Sequence, residues 1–169
     1  MLEEVEKIAT ILLNAIKNEF VAQGHHLTGK TESQLTYEIK EEINSIVILG
    51  YGPDYVKRLN QGVPASQIPT SSDYIRELII YAAKRFNISG KEAARAGYFI
   101  AKAHQKFGMP TPNSFKFSTT GQRTGFIDIA LEKQQPFLDR EFNKIFTSLF
   151  NFQINNLIAK YANNGVQTA

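Results

Sequence analysis

The chain has 169 residues, no cysteine and a formal net charge of +3. This length suggests one domain with room for a hydrophobic core, and the lack of cysteine excludes disulfides and cysteine-based metal sites. With 43% hydrophobic and 21% charged residues, the composition is typical of a soluble globular protein. No apolar run approaches the roughly 18 residues of a membrane span, so no membrane partner is expected.

The first segment of the chain predicts an amphipathic helix. Val5, Ile8, Leu12 and Ile16 recur at helical spacing, and Gly24 is a natural C-terminal stop. The acidic, amphipathic start does not have the pattern of a secretion signal. The default expectation is therefore synthesis and residence in the cytosol.

The residues that follow, GHHLTGKT from Gly24 to Thr31, match the phosphate-loop pattern G-x-x-x-x-G-K-[ST]. A phosphate loop needs a buried strand before it and a helix after it, because the N–H groups at the helix N-terminus surround the phosphates. Here a helix comes first and a strand is predicted after Thr31. We therefore expect a tight turn, and a nucleotide-binding enzyme is kept only as an alternative.

A β-hairpin is predicted next. In QLTYEIK, Leu35, Tyr37 and Ile39 alternate with polar residues, and SIVILGY is apolar at its centre. The following residues, 55–72, predict at most a short helical turn and then a loop rich in proline, serine and glycine.

Two helices are predicted in the middle of the chain. The first covers 73–86 with Ser72 as its cap, and the second begins with the capping box Ser89–Glu92 and stops at Gly108. Small residues on the second helix allow another backbone to approach closely. They are Ala93, Ala94, Ala96, Gly97 and Ala101.

A long loop and a final helix complete the prediction. Residues 109–125 form a polar loop, which at this length is usually functional or mobile, and its two phenylalanines need a cover. The last helix, starting near Pro136, is apolar on more than one side, which is typical of burial in the domain or against a partner. We expect a single α+β domain over 1–162, a flexible tail over 163–169, and a small antiparallel sheet packed with four to five helices, with a long loop near 108–125. The candidate subunit-interface residues are Phe115, Phe117, Arg123, Phe146 and Phe150.

Charge is distributed unevenly along the chain. Residues 1–54 contain four Lys or Arg against nine Asp or Glu, whereas residues 84–123 contain eight against one. The two regions are able to attract each other within one chain or between copies, or they are ordinary solvated faces. The basic region is also able to contact nucleic-acid phosphates. The candidate basic surface, facing DNA or a partner ring, is Lys84, Arg85, Lys91, Arg95, Lys102 and Lys106.

No constellation of catalytic residues is recognisable. His25 and His26 are adjacent and His104 stands alone, so none has a partner at metal-ligand spacing. The serine-nucleophile pattern G-x-S-x-G does not occur. Asp128 and Glu132 lie one helical turn apart if their segment is helical, which indicates a solvated face more than a site. We expect no catalytic residue, cofactor or metal, and a protein that is not an enzyme.

Three segments, in this order, resemble a family of tailed-bacteriophage neck proteins. They are LTGKTESQLTYEI from Leu27, YGPDYVKRLNQGVP from Tyr51 and QPFLDREF from Gln135. In the tail-completion and head–tail connector proteins, a long helix precedes a similar T-G segment that enters a β-hairpin, and a P-F-[LI] segment starts the last helix.

The resemblance implies a structural virion protein that is made in the host cytoplasm and forms a ring in the neck between portal and tail. Its implied partners are copies of itself, portal or adaptor proteins and tail proteins, with genomic DNA passing through the channel. The alternative is a small accessory protein that binds DNA without sequence preference through the basic 84–123 region.

Overall fold

The computed structural model describes residues 2–43 and 45–165. It combines a two-stranded antiparallel sheet with a larger number of helices, so the predicted α+β class is confirmed. Two short 3-10 turns lie at Ala65–Gln67 and Pro112–Phe117. The strands are β1, Thr36–Glu41, and β2, Ile46–Tyr51. The helices are α1, Leu2–Ala22; α2, Lys30–Gln34; α3, Asp54–Gln61; α4, Ser72–Phe86; α5, Gly90–Phe107; and α6, Phe126–Gly165.

The hydrophobic core lies where the C-terminal end of α1 meets the start of α6. Phe20 and Phe126 are fully buried there, and their rings meet edge to face with centroids 5.2 Å apart. Leu35, at the entry to β1, and Val56 of α3 complete the cluster. Burial of such large apolar side chains, at about 1.5–3 kcal/mol each, is what holds α1 and α6 together.

Helix α6 begins at Phe126 and not near Pro136, which lies inside the helix. Proline is favoured in the first turn of a helix because its missing N–H has no intrahelical acceptor there. The first turn is instead fixed by tertiary contacts. The Asn60 side chain accepts a 2.9 Å hydrogen bond from the N–H of Ile127, and Phe126 is buried. The helix extends to Gly165, so residues 163–165 of the predicted tail are helical, and residues 166–169 lie outside the described residues.

The hairpin has the predicted strands, in a register from Thr36 opposite Tyr51 to Glu41 opposite Ile46. The prediction that a strand directly follows Thr31 was wrong, because the helical turn α2 comes between them. That turn ends where Leu35 enters the core. Helix α3 is also longer than the short turn expected there, with eight residues.

Helices α4 and α5 form a close antiparallel hairpin. A Cβ atom built on Gly97 would lie 2.6 Å from the backbone nitrogen of Ile79. The small residue at this position of α5 therefore allows the backbone of α4 to approach closely, as the sequence predicts. Helix α4 is capped by Ser71, whose hydroxyl accepts from the N–H of Tyr74, and not by Ser72. Ser89 makes no side-chain cap hydrogen bond, although α5 starts and stops as predicted.

Candidate functional site

The phosphate-loop-like segment is a packed turn between α1 and α2. No strand precedes it, because α1 ends at Ala22, and the helix after it has only five residues. Gly24 has φ +76°, and a side chain there would overlap the backbone carbonyl of Phe117. Close contact between two backbone segments therefore explains the glycine, and the strand–loop–helix order of a phosphate loop is not present here.

Arg123, a candidate interface residue, is half-buried within its own chain. Its guanidinium donates a hydrogen bond to the backbone carbonyl of Gln23, while its buried Nε has no hydrogen-bond partner in the part of the chain that the structure describes. No carboxylate among the described residues lies within 4 Å of it. Burial lowers its pKa, because the charged form is poorly solvated. Arg123 thus links the 109–125 loop to the end of α1, and its positive charge has no carboxylate within 4 Å among the described residues.

The two loop phenylalanines have different environments. Phe117 packs against Phe86, with ring centroids 6.4 Å apart, and lies beneath the Arg85 guanidinium at 4.4 Å. Its cover is therefore largely provided by its own chain. Phe115 is 41% exposed and remains available to a partner.

Two of the six predicted basic residues lie on α4 and four on α5. Arg85 turns toward the loop, where it donates a 2.8 Å hydrogen bond to the backbone carbonyl of His26, and Lys84 is exposed on α4. The other four lie on the exposed side of α5, opposite the buried Ala93, Gly97 and Ala101. Those four are Lys91, Arg95, Lys102 and Lys106.

Aromatic side chains that the sequence analysis did not single out lie among these cations. Phe99 is exposed, and the Arg95 guanidinium lies 5.6 Å from its ring centroid. Tyr98 is also exposed, with the Lys102 ammonium 5.5 Å from its ring centroid. Helical spacing was the available signal, since positions 91, 95, 98, 99, 102 and 106 share one face. We call these six residues the α5 basic face.

The C-terminal half of α6 extends beyond the packed body. Every residue from Phe146 to Lys160, which we call the distal segment, is exposed. The candidate interface residues Phe146 and Phe150 are 72% and 58% exposed. The apolar pattern of this helix predicts burial in the domain or against a partner, and the structure leaves the segment without cover from the other described residues of the chain. Its other exposed large apolar side chains are Leu149, Phe152, Ile154, Leu157 and Ile158.

Burial within the chain keeps two histidines neutral at pH 7. The His25 ring packs against the rings of both Phe20 and Phe126, and burial lowers its pKa to about 4, with Arg123 and Arg85 adding to the shift. Burial likewise lowers the pKa of His104 to about 4. His26 instead contacts the Glu32 carboxylate at the surface.

His104 contacts the Tyr74 hydroxyl through Nδ1 at 2.6 Å. In residues 2–43 and 45–165, no group of three or more His, Asp or Glu side chains is placed to hold a metal ion. Asp128 and Glu132 both fall on α6, where each is exposed.

Among the residues that the structure describes, no helix is long and apolar enough to cross a bilayer. No protein-family model matches this chain, and no curated protein or solved structure is significantly similar to it.

Proposed function

We propose that the chain is a structural subunit that assembles with copies of itself into a ring, with the distal segment of α6 as its main contact. On the resemblance of its three segments, we place this ring in the neck of a tailed bacteriophage. There it would join the portal or adaptor proteins to the tail proteins.

The observation that carries this proposal is the exposed apolar surface of the distal segment. Seven large apolar side chains lie in 15 exposed residues, and the only charge among them is at Lys160. Soluble monomers rarely expose contiguous apolar patches larger than a few hundred Å². Burial of apolar surface against a neighbour stabilises the complex by about 25 cal/mol for each Å² removed from water. Such a surface is therefore most stable when another subunit covers it.

The distal segment also has a polar side, so only part of its surface is suited to contact with a neighbour. Thr147, Ser148, Asn151 and Asn155 follow one another along one stripe of the helix. The apolar side is suited to a neighbour and the polar stripe to solvent or a channel. A contact between this helix and a different region of the next subunit is heterologous, and such contacts close into a ring when the rotation permits.

Analytical ultracentrifugation of the purified full chain tests self-association. We expect an oligomer of the wild type and a monomer of the Phe146→Ser/Phe150→Ser double variant. Asn151→Ser/Asn155→Ser on the polar stripe is the matched control and should stay oligomeric. A monomeric wild type, or equal association of both double variants, would refute the contact. Phe115→Ser, which removes an exposed side chain, tests whether the loop adds to the same interface.

The neck assignment needs a separate measurement. Quantitative mass spectrometry of purified phage particles should give a small copy number relative to the major capsid protein, consistent with one ring. Absence of the chain from particles would contradict the assignment and leave the self-association unaffected.

The α5 basic face favours a second candidate function, which is binding of nucleic acid without sequence preference. Four cations supply contacts to phosphates, and the exposed Tyr98 and Phe99 supply stacking surfaces for bases. Only Glu92 opposes these charges on α5. In a ring, this face would suit the surface that meets DNA.

A further inference from the structure

A partly open cavity of about 650 Å³ lies between the α4–α5 hairpin, the 24–31 turn and the 109–117 loop. Protein interiors are packed as densely as organic crystals, so a space of this size exceeds an ordinary packing defect. It falls within the roughly 300–1,000 Å³ that small-molecule sites occupy. Its apolar lining includes Leu59, Leu78, Phe99, Ile100, Met109 and Phe117.

The charged residues of the cavity are mainly positive. Arg123, Lys30 and Lys116 line it, against the single acidic residue Glu77. The two lysines are exposed and so lie at its solvent side, whereas Arg123 is half-buried. The remaining basic groups in the lining are His25 and His104, and both are neutral at pH 7 because burial lowers each pKa to about 4.

Arg123 is the residue that defines the ligand chemistry. A guanidinium stays protonated at neutral pH even when burial lowers its pKa, and a partly desolvated charge is stabilised by a counterion. No described carboxylate lies within 4 Å of Arg123. A bound anion would therefore gain a strong, poorly screened partner next to an apolar wall.

We propose that this cavity binds an amphipathic carboxylate, with its apolar body in the space between the α4–α5 hairpin and the 109–117 loop and its carboxylate at Arg123. The inference rests on the fold of the single subunit and does not depend on the proposed ring, because the distal segment of α6 does not line the cavity. Lys30 and Lys116 would favour entry of the anion through their charge.

Isothermal titration calorimetry of the full chain tests this site with sodium decanoate as the probe. We expect saturable binding with one decanoate per chain, at least tenfold tighter than that of 1-decanol, which has the same chain length and no charge. An absence of saturable binding, or equal affinities for the two probes, would overturn the proposal without requiring any variant.

Two matched variants locate the binding. Ala103 lines the cavity, so Ala103→Phe should fill it and weaken decanoate binding at least tenfold. Ala94→Phe places the same side chain on an exposed position of the same helix and should leave the affinity unchanged. Unchanged binding by folded Ala103→Phe would refute this location, and circular dichroism establishes that each variant is folded.

The charge dependence is tested at two positions. Arg123→Met should reduce the affinity for decanoate to that for 1-decanol. Because Arg123 also holds the Gln23 carbonyl, Lys116→Gln provides a second variant at an exposed residue, and it should weaken decanoate binding by about twofold to fivefold with no effect on 1-decanol. Equal effects on both probes would contradict an anion site.

Discussion

The ammonium of Lys133 on α6 lies 2.7 Å from the Glu19 carboxylate on α1. Glu19 is only 6% exposed, and its other oxygen accepts a 3.1 Å hydrogen bond from the Gln23 side chain. The pair therefore joins the two long helices beside the core, with one partner buried and the other at the surface. A buried carboxylate in this position depends on its cation, because burial of an unpaired charge is unfavourable.

Lys133→Ala should lower the free energy of unfolding by about 1–3 kcal/mol, since it leaves the Glu19 carboxylate without its cation. Lys144→Ala is the control, because Lys144 pairs with Glu141 at 2.8 Å on the surface of the same helix. Surface pairs contribute little, so we expect no measurable change from the control. Urea denaturation of both variants measures the difference, and equal losses would show that the burial of Glu19 is unimportant.

Gly97→Ala should destabilise the α4–α5 hairpin by about 1–3 kcal/mol, the usual cost of overpacking. The added methyl would lie 2.6–2.7 Å from backbone atoms of Ile79, so α4 must move. Gly50→Ala in β2 is the matched control, because nothing lies within 4 Å of its added Cβ. Thermal unfolding followed by circular dichroism compares the two, and a neutral Gly97→Ala would contradict the close contact.

Stability should decrease as the pH falls from about 6.5 toward 4. The folded-state pKa values of His25 and His104 are about 4, below the value near 6.5 of an unfolded histidine. Within this interval the unfolded chain takes up protons that the folded chain does not, so unfolding is favoured. Each shift corresponds to at most about 3–4 kcal/mol, which partial exposure reduces to roughly 1–2 kcal/mol.

Urea denaturation at pH 7 and pH 5 measures this loss, before most carboxylates titrate. His25→Phe keeps an aromatic ring against Phe20 and Phe126 and removes the buried Nε2, which has no hydrogen-bond partner among the described residues. The variant should lose less stability between pH 7 and pH 5 than the wild type does. The same loss in both proteins would show that His25 is not responsible.

Any binding of single-stranded DNA by the α5 basic face should weaken steeply as salt is added. Each cation that contacts a phosphate contributes about 0.7 to the slope of log K against log salt concentration for single strands. Arg95→Gln/Lys102→Gln should therefore reduce that slope by about 1.4. Fluorescence anisotropy with a labelled oligothymidine across a salt series gives the slope.

The control for this experiment removes two exposed cations from other helices, Lys57→Gln on α3 and Arg76→Gln on α4. It should leave the slope unchanged. Phe99→Ala should weaken binding without changing the slope, because stacking is not a salt-dependent contact. No binding by the wild type at low salt would remove nucleic acid as a candidate ligand.

Local sequence patterns were sufficient to predict the helices and strands whose local signals and tertiary contacts favour the same structure. Alternation over Leu35, Tyr37 and Ile39 predicts β1, and helical spacing with Gly108 as a stop predicts α5. The start of α6 was missed because Pro136 is a strong local signal. Burial of Phe126 and the hydrogen bond from Ile127 to Asn60 outweigh it, and both are tertiary contacts.

The candidate sites likewise divide into features that local sequence patterns indicate and features that depend on tertiary contacts. Phe146 and Phe150 are exposed, and their role in an interface stays a prediction. The signal for selecting them was that the last helix has more apolar residues than one helix face can bury. Arg123 could not be placed, since its partner Gln23 lies 100 residues earlier in the chain. The cavity likewise has no local signature, because residues from positions 24 to 123 converge on it only in the folded chain.

The length of α6 sets how far the chain would reach in the proposed ring. Its 40 residues correspond to about 60 Å at 1.5 Å per residue, of which residues 146–165 account for roughly 30 Å. A neighbour is therefore able to hold the end of this helix while the two globular bodies stay apart. Spacing between bodies would then be fixed by the rigid span of one helix, so deletions of whole turns should draw neighbouring bodies closer by about 5.4 Å each.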